Sequence, residues 1–242
     1  FEGVDIIDVA EIAGGKVLKI ATGIIISVVL LFLTVNVLRE FSEENKVISL
    51  TLSPLSYIMV FFMAGMVIGS YFGIEAIVRY SAIIVPVIAF CYILILLGTI
   101  PAIDINNIFP ILGNGADDIF LKGFLRVSVF GELLILFLLP PFIGGNKKMK
   151  IIGYSTLALS SFFLISGSLM YVLAFPYPVV LEPFLPVYEM ARIINLGRFF
   201  QRIEAIFVLI WDMSALLYLT SSFYFTVYSF SRAAGVKYMR PL

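Results

Sequence analysis

The chain has 242 residues, of which 61% are hydrophobic and 13% charged, and its mean hydropathy is +1.08. That balance excludes a soluble globular domain and marks an integral membrane protein. Sixteen basic and 16 acidic residues cancel, so nothing suggests a nucleic-acid partner. Histidine is absent and there is one cysteine, Cys91, which removes His-centred triads, the commonest zinc ligand and any intrachain disulfide. Neither a metal site nor a cofactor motif is expected.

In chain order, Asp5 to Ala13 reads as a short amphipathic helix, with Ile6, Ile7 and Ala10 on one side and Asp5, Asp8 and Glu11 on another, ended by Gly14 and Gly15. The chain starts on Phe1 with no signal-peptide pattern, and is read as a fragment. Six runs then reach the length needed to cross about 30 Å of hydrocarbon. They lie near Val17 to Leu38, Pro54 to Gly73, Tyr80 to Ile100, Val127 to Ile143, Ile151 to Phe175 and Ala205 to Phe230. They lack the alternating polarity of barrel strands, so the expected class is all-α transmembrane. The short basic connections carrying Lys16, Lys19, Arg79, Lys147, Lys148, Lys150, Arg232, Lys237 and Arg240 fall on one side, which the positive-inside rule makes cytoplasmic. One integral membrane domain over 1–242 is expected, with a cytoplasmic segment at 1–15 and an outer segment at 176–202.

Within the spans, Asn36 and Thr34 are polar residues for helix-to-helix hydrogen bonds or a polar ligand. Gly65, Gly69 and Gly73 repeat every four residues, a stripe that reads as close helix packing. Glu75 and Arg79 are spaced as an anchor pair on one helix face. The outer run ILGNGADD, Ile111 to Asp118, reads as an exposed turn before a helix, with a calcium or ligand site as the alternative. Glu132 and Asp212 are ionisable groups inside apolar spans, each costing roughly 2.5–3.5 kcal/mol to insert. Either is a cation, proton or ligand site, or else a structural ion pair or interhelical hydrogen bond. Pro140 and Pro141 interrupt the fourth run, leaving carbonyls near Leu136 and Phe137 without helical donors. Those carbonyls line a cavity, as in transporters with broken helices, or belong to an ordinary kink.

The stretch LPVYEMARIINLGRFFQRIEAIFVLIW, Leu185 to Trp211, sets charge against the mouth of the last span. Glu189 and Arg192 are three apart, Arg198 and Arg202 four apart, while Val187, Met190, Ile194 and Phe199 form an apolar face. The spacing predicts an interfacial or cavity-dipping segment jointed at Gly197, and Glu189 or Glu182 as the counter-charge for Arg198 and Arg202.

FGELL followed by Pro140, LPVYEMARII and GRFFQRIEAIFVLIW resemble the spore germination permease family, the B subunits of endospore germinant receptors. GIEAIVRYSAIIVP around Glu75, Arg79 and Pro86, and FPILGNG from Phe109 to Gly115, agree. The family is similar to the amino acid, polyamine and organocation permeases. The resemblance therefore implies a ten-helix LeuT-type inverted repeat, of which this chain holds helices three to eight. Glu132 and Pro140 would fall on an unwound sixth helix, Asn36 and Asp212 on helices flanking a ligand or ion pathway. Glu189, Arg192, Arg198 and Arg202 would fall on an outer lid. Family members commonly carry a lysine late in the eighth helix, whereas this chain has none between Arg202 and Arg232. The implied function is a membrane subunit that binds a small nutrient germinant, an amino acid, in the spore inner membrane or the bacterial cytoplasmic membrane, with other receptor subunits as partners. The alternative is a cation-coupled amino acid transporter. An enzyme is not expected, because Glu132 and Asp212 lack the paired motif of a membrane aspartyl protease.

Overall fold

In hydrocarbon every backbone N–H and C=O must be paired within the chain, so long apolar runs fold as helices. The computed structural model describes residues 3–109, 111, 115–177, 179, 185–194 and 203–236. Seven α-helices occur among them: α1 (Ile6–Ile48), α2 (Leu55–Tyr71), α3 (Gly73–Thr99), α4 (Ala116–Leu125), α5 (Asn146–Ala174), α6 (Pro186–Ile193) and α7 (Ile203–Ala234). Four helical stretches are long and apolar enough to cross a membrane: Ile6–Ile48, Gly73–Ala102, Asn146–Ala174 and Ala205–Ala234. The second expected span, α2, has 17 residues, about 26 Å of helix, at the short end of the spanning range.

The fourth expected span differs from the pattern read in the sequence. Arg126–Leu138 winds as a 3₁₀ helix of 13 residues, followed by a second 3₁₀ turn at Pro140–Phe142. Two consecutive prolines remove the N–H groups that would close an α-helix onto Leu136 and Phe137. The chain instead closes tighter turns, with Phe142 N–H donating to Leu139 O at 2.9 Å and Ile143 N–H to Pro140 O at 3.3 Å.

By internal packing the chain forms two compact units: 1–85, 133–153 and 212–242 in the first, 86–132 and 154–211 in the second. The first is organised by α1 against the later part of α7. Gly23, Thr34 and Asn45, spaced by about three helical turns, meet Ala233, Ser222 and Asp212 in reverse order, so the two helices run antiparallel. A Cβ added at Gly23 would lie 2.7 Å from the Ala233 Cβ and 3.2 Å from the Ser229 carbonyl oxygen. Only glycine permits that approach. Ile26, Leu30, Ile74, Ile77, Leu138, Tyr224, Phe225 and Tyr228 close one apolar core with Ile7. Leu38, Ile58, Phe62, Met66, Ala215 and Leu219 close another. Gly65 and Gly69 of α2 face Leu216 and Thr220 of α7, with added Cβ atoms 2.8 Å from each side chain. These two glycines thus serve close packing.

The helical path of α1 breaks at Gly14 and Gly15. Gly15, at φ 70° and ψ −164°, occupies a region essentially reserved for glycine. The preceding turn is capped by Asp5, whose Oδ1 accepts from the N–H of Ile7 at 2.9 Å and of Asp8 at 2.8 Å. Lys19 Nζ reaches back across the break to Glu11 Oε2 at 2.5 Å.

In the second unit Ile95, Tyr171, Met190, Ala191, Ile194 and Phe207 form the core. The Tyr92 hydroxyl donates to Phe163 O at 2.7 Å, and a Cβ on Gly167 would sit 2.6 Å from that hydroxyl. The end of α5 is held by the turn after α3: the Asp104 N–H and Asn107 Nδ2 both donate to Leu173 O at 3.0 Å. An orphan carbonyl at a helix C-terminus is thereby satisfied twice.

Replacing Gly23 by Leu should lower stability by about 1–3 kcal/mol through overpacking at α7. Gly153→Ala, where nothing lies within 4 Å of the added methyl, should leave stability unchanged or raised. Thermal unfolding of the two variants in the same detergent checks the contrast.

Candidate functional site

Asp212 stands about 14 Å into α7, inside an apolar span, and is half-buried. Its Oδ1 accepts a 2.7 Å hydrogen bond from Asn45 Nδ2 on α1. Asn45 is 5% exposed and also donates from Nδ2 to Phe41 O at 3.1 Å. The carboxylate is held by a neutral donor, which orients it without cancelling its charge. One residue on, the Met213 carbonyl accepts from the Tyr80 hydroxyl at 3.5 Å.

One turn beyond Asp212 begins a cavity of about 340 Å³ between α2, α3 and α7. Gly65, Gly69, Ala76, Leu216 and Leu217 form much of its wall, with the polar groups of Tyr80 and Thr220. The glycines bring α2 close to α7 and the small Ala76 leaves space beside them. Such walls suit a small apolar group, and the size is that of a small-ligand pocket.

At the other end of α7, Asp5 is fully buried and its Oδ2 accepts from the Tyr228 hydroxyl at 2.8 Å. Arg232 pairs with Asp8 and lies 3.7 Å from Asp5 Oδ2. Two carboxylates, a guanidinium and a phenol therefore fasten the start of α1 to the end of α7.

Of the residues singled out in the sequence, Asp212 thus meets Asn45, which sequence reasoning passed over. Asn45 stands in the charged run EENK and reads there as part of an outer connection; only the equal spacing with Gly23 and Thr34 would have placed it on the α7 face. Asn36 lies on the exposed side of α1 and its side-chain amide donates to Phe32 O at 2.7 Å. It is not brought to Asp212. Thr34 is paired with Ser222 at 2.7 Å. Glu132 is exposed on the long 3₁₀ helix, and Pro140 is half-buried where the next 3₁₀ turn starts. Glu75 and Arg79 form the expected i, i+4 pair. On α6, Arg192 Nη1 donates to both Glu189 oxygens at 3.1 and 3.2 Å, while Met190 and Ala191 are fully buried. Glu182, Arg198 and Arg202 lie outside the described residues, as does most of the ILGN turn.

Neither the curated proteins nor the solved structures compared with the chain match it. The family described as spore germination protein matches residues 1–239. The chain belongs to that family, the spore permeases, and is an integral, permease-like membrane protein of spore germination.

Proposed function

We propose that the protein is the membrane subunit of a nutrient germinant receptor, binding a small amino acid in a permease-like pocket and passing the event to partner subunits in the spore inner membrane. The observation that carries this reading is Asp212: a carboxylate kept in an apolar span, oriented by Asn45 and next to an apolar cavity. A carboxylate and an apolar recess together match the ammonium and side chain of a neutral amino acid. Binding an ammonium would offset the insertion cost of this half-buried carboxylate further than the hydrogen bond from Asn45 does alone.

In this reading the chain is a single membrane domain corresponding to helices three to eight of a ten-helix LeuT-type repeat. The 17 residues of α2 and the extended 3₁₀ segment complete six crossings. The region 176–202, with Glu189 and Arg192 on α6 and Arg198 and Arg202 beyond it, forms the outer lid; residues 1–15 lie in the cytoplasm. Glu132 and Pro140 belong to the unwound sixth helix, and Asn36 on the far side of α1 faces the pathway rather than Asp212. A second reading, a cation-coupled amino acid transporter, is favoured by the exposed carboxylate of Glu132 on a segment without α-helical pairing.

Asp212→Asn should weaken binding of alanine, used as the probe, by roughly ten-fold or more, as expected for the loss of a charged hydrogen-bond partner. Calorimetry on the purified protein, with thermal unfolding to show that the variant is folded, measures this; unchanged affinity would remove Asp212 from the site. Glu132→Gln should abolish the germination response of spores while alanine binding persists. If neither response nor affinity changes, Glu132 has no part in signalling. In liposomes carrying an ion gradient the receptor should not accumulate labelled alanine, and gradient-driven uptake would establish the transporter instead.

A further inference from the structure

The stretch of α1 before its break at Gly14 and Gly15 is an arm of little more than two turns, and it has an apolar face that α7 does not cover. Ile7 is buried in the core with Phe225 and Tyr228, and Ala10, one turn on, is buried as well. Val9 and Ile12, three apart and so neighbours on one side of the helix, are instead 47% and 65% exposed. Past the break Val17 is 80% exposed, and exposed apolar side chains continue along the span with Ile24, Ile25 and Val28. Grouped apolar side chains left open on a surface mark a contact with lipid or with another protein.

Both attachments of the arm place it at one end of the spanning helices. It passes through the glycine break directly into the first span, with Leu18 Cδ2 only 2.7 Å from where a Cβ on Gly14 would lie. Its other fastenings, Asp5 to Tyr228 and Asp8 to Arg232, fall in the last two turns of α7, which stops at Ala234 with Gly235 at φ 67°. The arm therefore lies where α1 enters the hydrocarbon and α7 leaves it. Its charges suit that level. Asp8 is paired with Arg232 and Glu11 with Lys19, and Asp5 is fully buried, so these acids are not offered to lipid phosphates. Lys16, exposed just past the break, makes no ion pair among the described residues.

We propose that the arm is an interfacial anchor whose partner is the bilayer itself: Val9 and Ile12 lie in the boundary between headgroups and acyl chains, continuous with the lipid-facing side of α1, and Lys16 meets the phosphates of anionic phospholipids. A helix too short to persist alone in water is thus held by α7 on one side and by lipid on the other. The anchor does not depend on which nutrient is bound or whether ions pass.

An environment-sensitive nitrobenzoxadiazole label at Ile12→Cys reads this directly, in a cysteine-free background of the complete protein, Cys91→Ser included, in nanodiscs of phosphatidylcholine and phosphatidylglycerol. A nitroxide near the headgroup end of the lipid chain should quench this label about as well as one at Val17→Cys, while iodide in the water should quench it roughly three-fold less than the free dye. Val9→Cys should behave in the same way. Replacing phosphatidylglycerol by phosphatidylcholine should lower lipid quenching at Ile12→Cys about two-fold with Lys16 present and leave it unchanged in Lys16→Gln. Iodide quenching equal to that of the free dye would put this face in water, and shielding from both quenchers would put it under another protein; either result overturns the proposal. Equal dependence on phosphatidylglycerol with and without Lys16 would remove that lysine from the contact. Alanine binding and germination play no part in this readout, so its failure is distinct from failure of the receptor reading.

Discussion

The antiparallel pairing of α1 with α7 is the constraint on which the first unit depends. Lipid tails are as apolar as leucine, so two helices gain little in a bilayer by hiding apolar faces from it; close packing and hydrogen bonds must hold them. The sequence meets that requirement with Gly23 against Ala233, then Thr34 with Ser222, then Asn45 with Asp212. Three other buried hydroxyls stay on their own helix: Ser27 donates to Gly23 O and Ser42 to Leu38 O, both at 2.7 Å, and Thr226 to Ser222 O at 2.8 Å. These donors are satisfied before the helices meet, so they are buried at small cost, whereas the buried Ser229 hydroxyl has no partner among the described residues.

That pairing also positions the candidate site. With α1 and α7 fastened at three levels, the carboxylate of Asp212 is fixed relative to α1, while the glycines of α2 bring a third helix to Leu216 and Thr220 and leave the cavity beside α3. In the second unit the same economy appears as tyrosine over glycine: Tyr92 reaches the α5 backbone because Gly167 has no side chain to block it. Gly98 likewise admits Ile194, with an added Cβ only 2.7 Å from its Cδ1. Small residues here set where large or polar ones may go.

How much of this was legible depended on period and on range. Long apolar runs announce themselves, and pairs such as Glu75–Arg79 and Glu189–Arg192 follow from helical spacing alone. Gly65 and Gly69 were readable as packing because a repeat of four marks a helix face. The 3₁₀ winding of Arg126–Leu138 was not, because its own residues favour an α-helix. Nor were the pairings of Asp5 with Tyr228 and Asn45 with Asp212, which join residues more than 160 positions apart. Asp5 was visible as one charged face of a short helix, yet nothing local says that it is buried.

Asp5 has one more consequence. A single carboxylate caps the first turn of the opening helix through one oxygen and holds Tyr228 through the other. The stretch from Ile6 to the Gly14–Gly15 break is far shorter than the roughly 12–15 residues at which a free helix becomes even marginal in water. Winding and attachment are therefore coupled: the carboxylate that caps the helix is the one that holds Tyr228, and with the Asp8–Arg232 pair and buried Ile7 it ties the folding of a segment too short to stand alone to its place on α7.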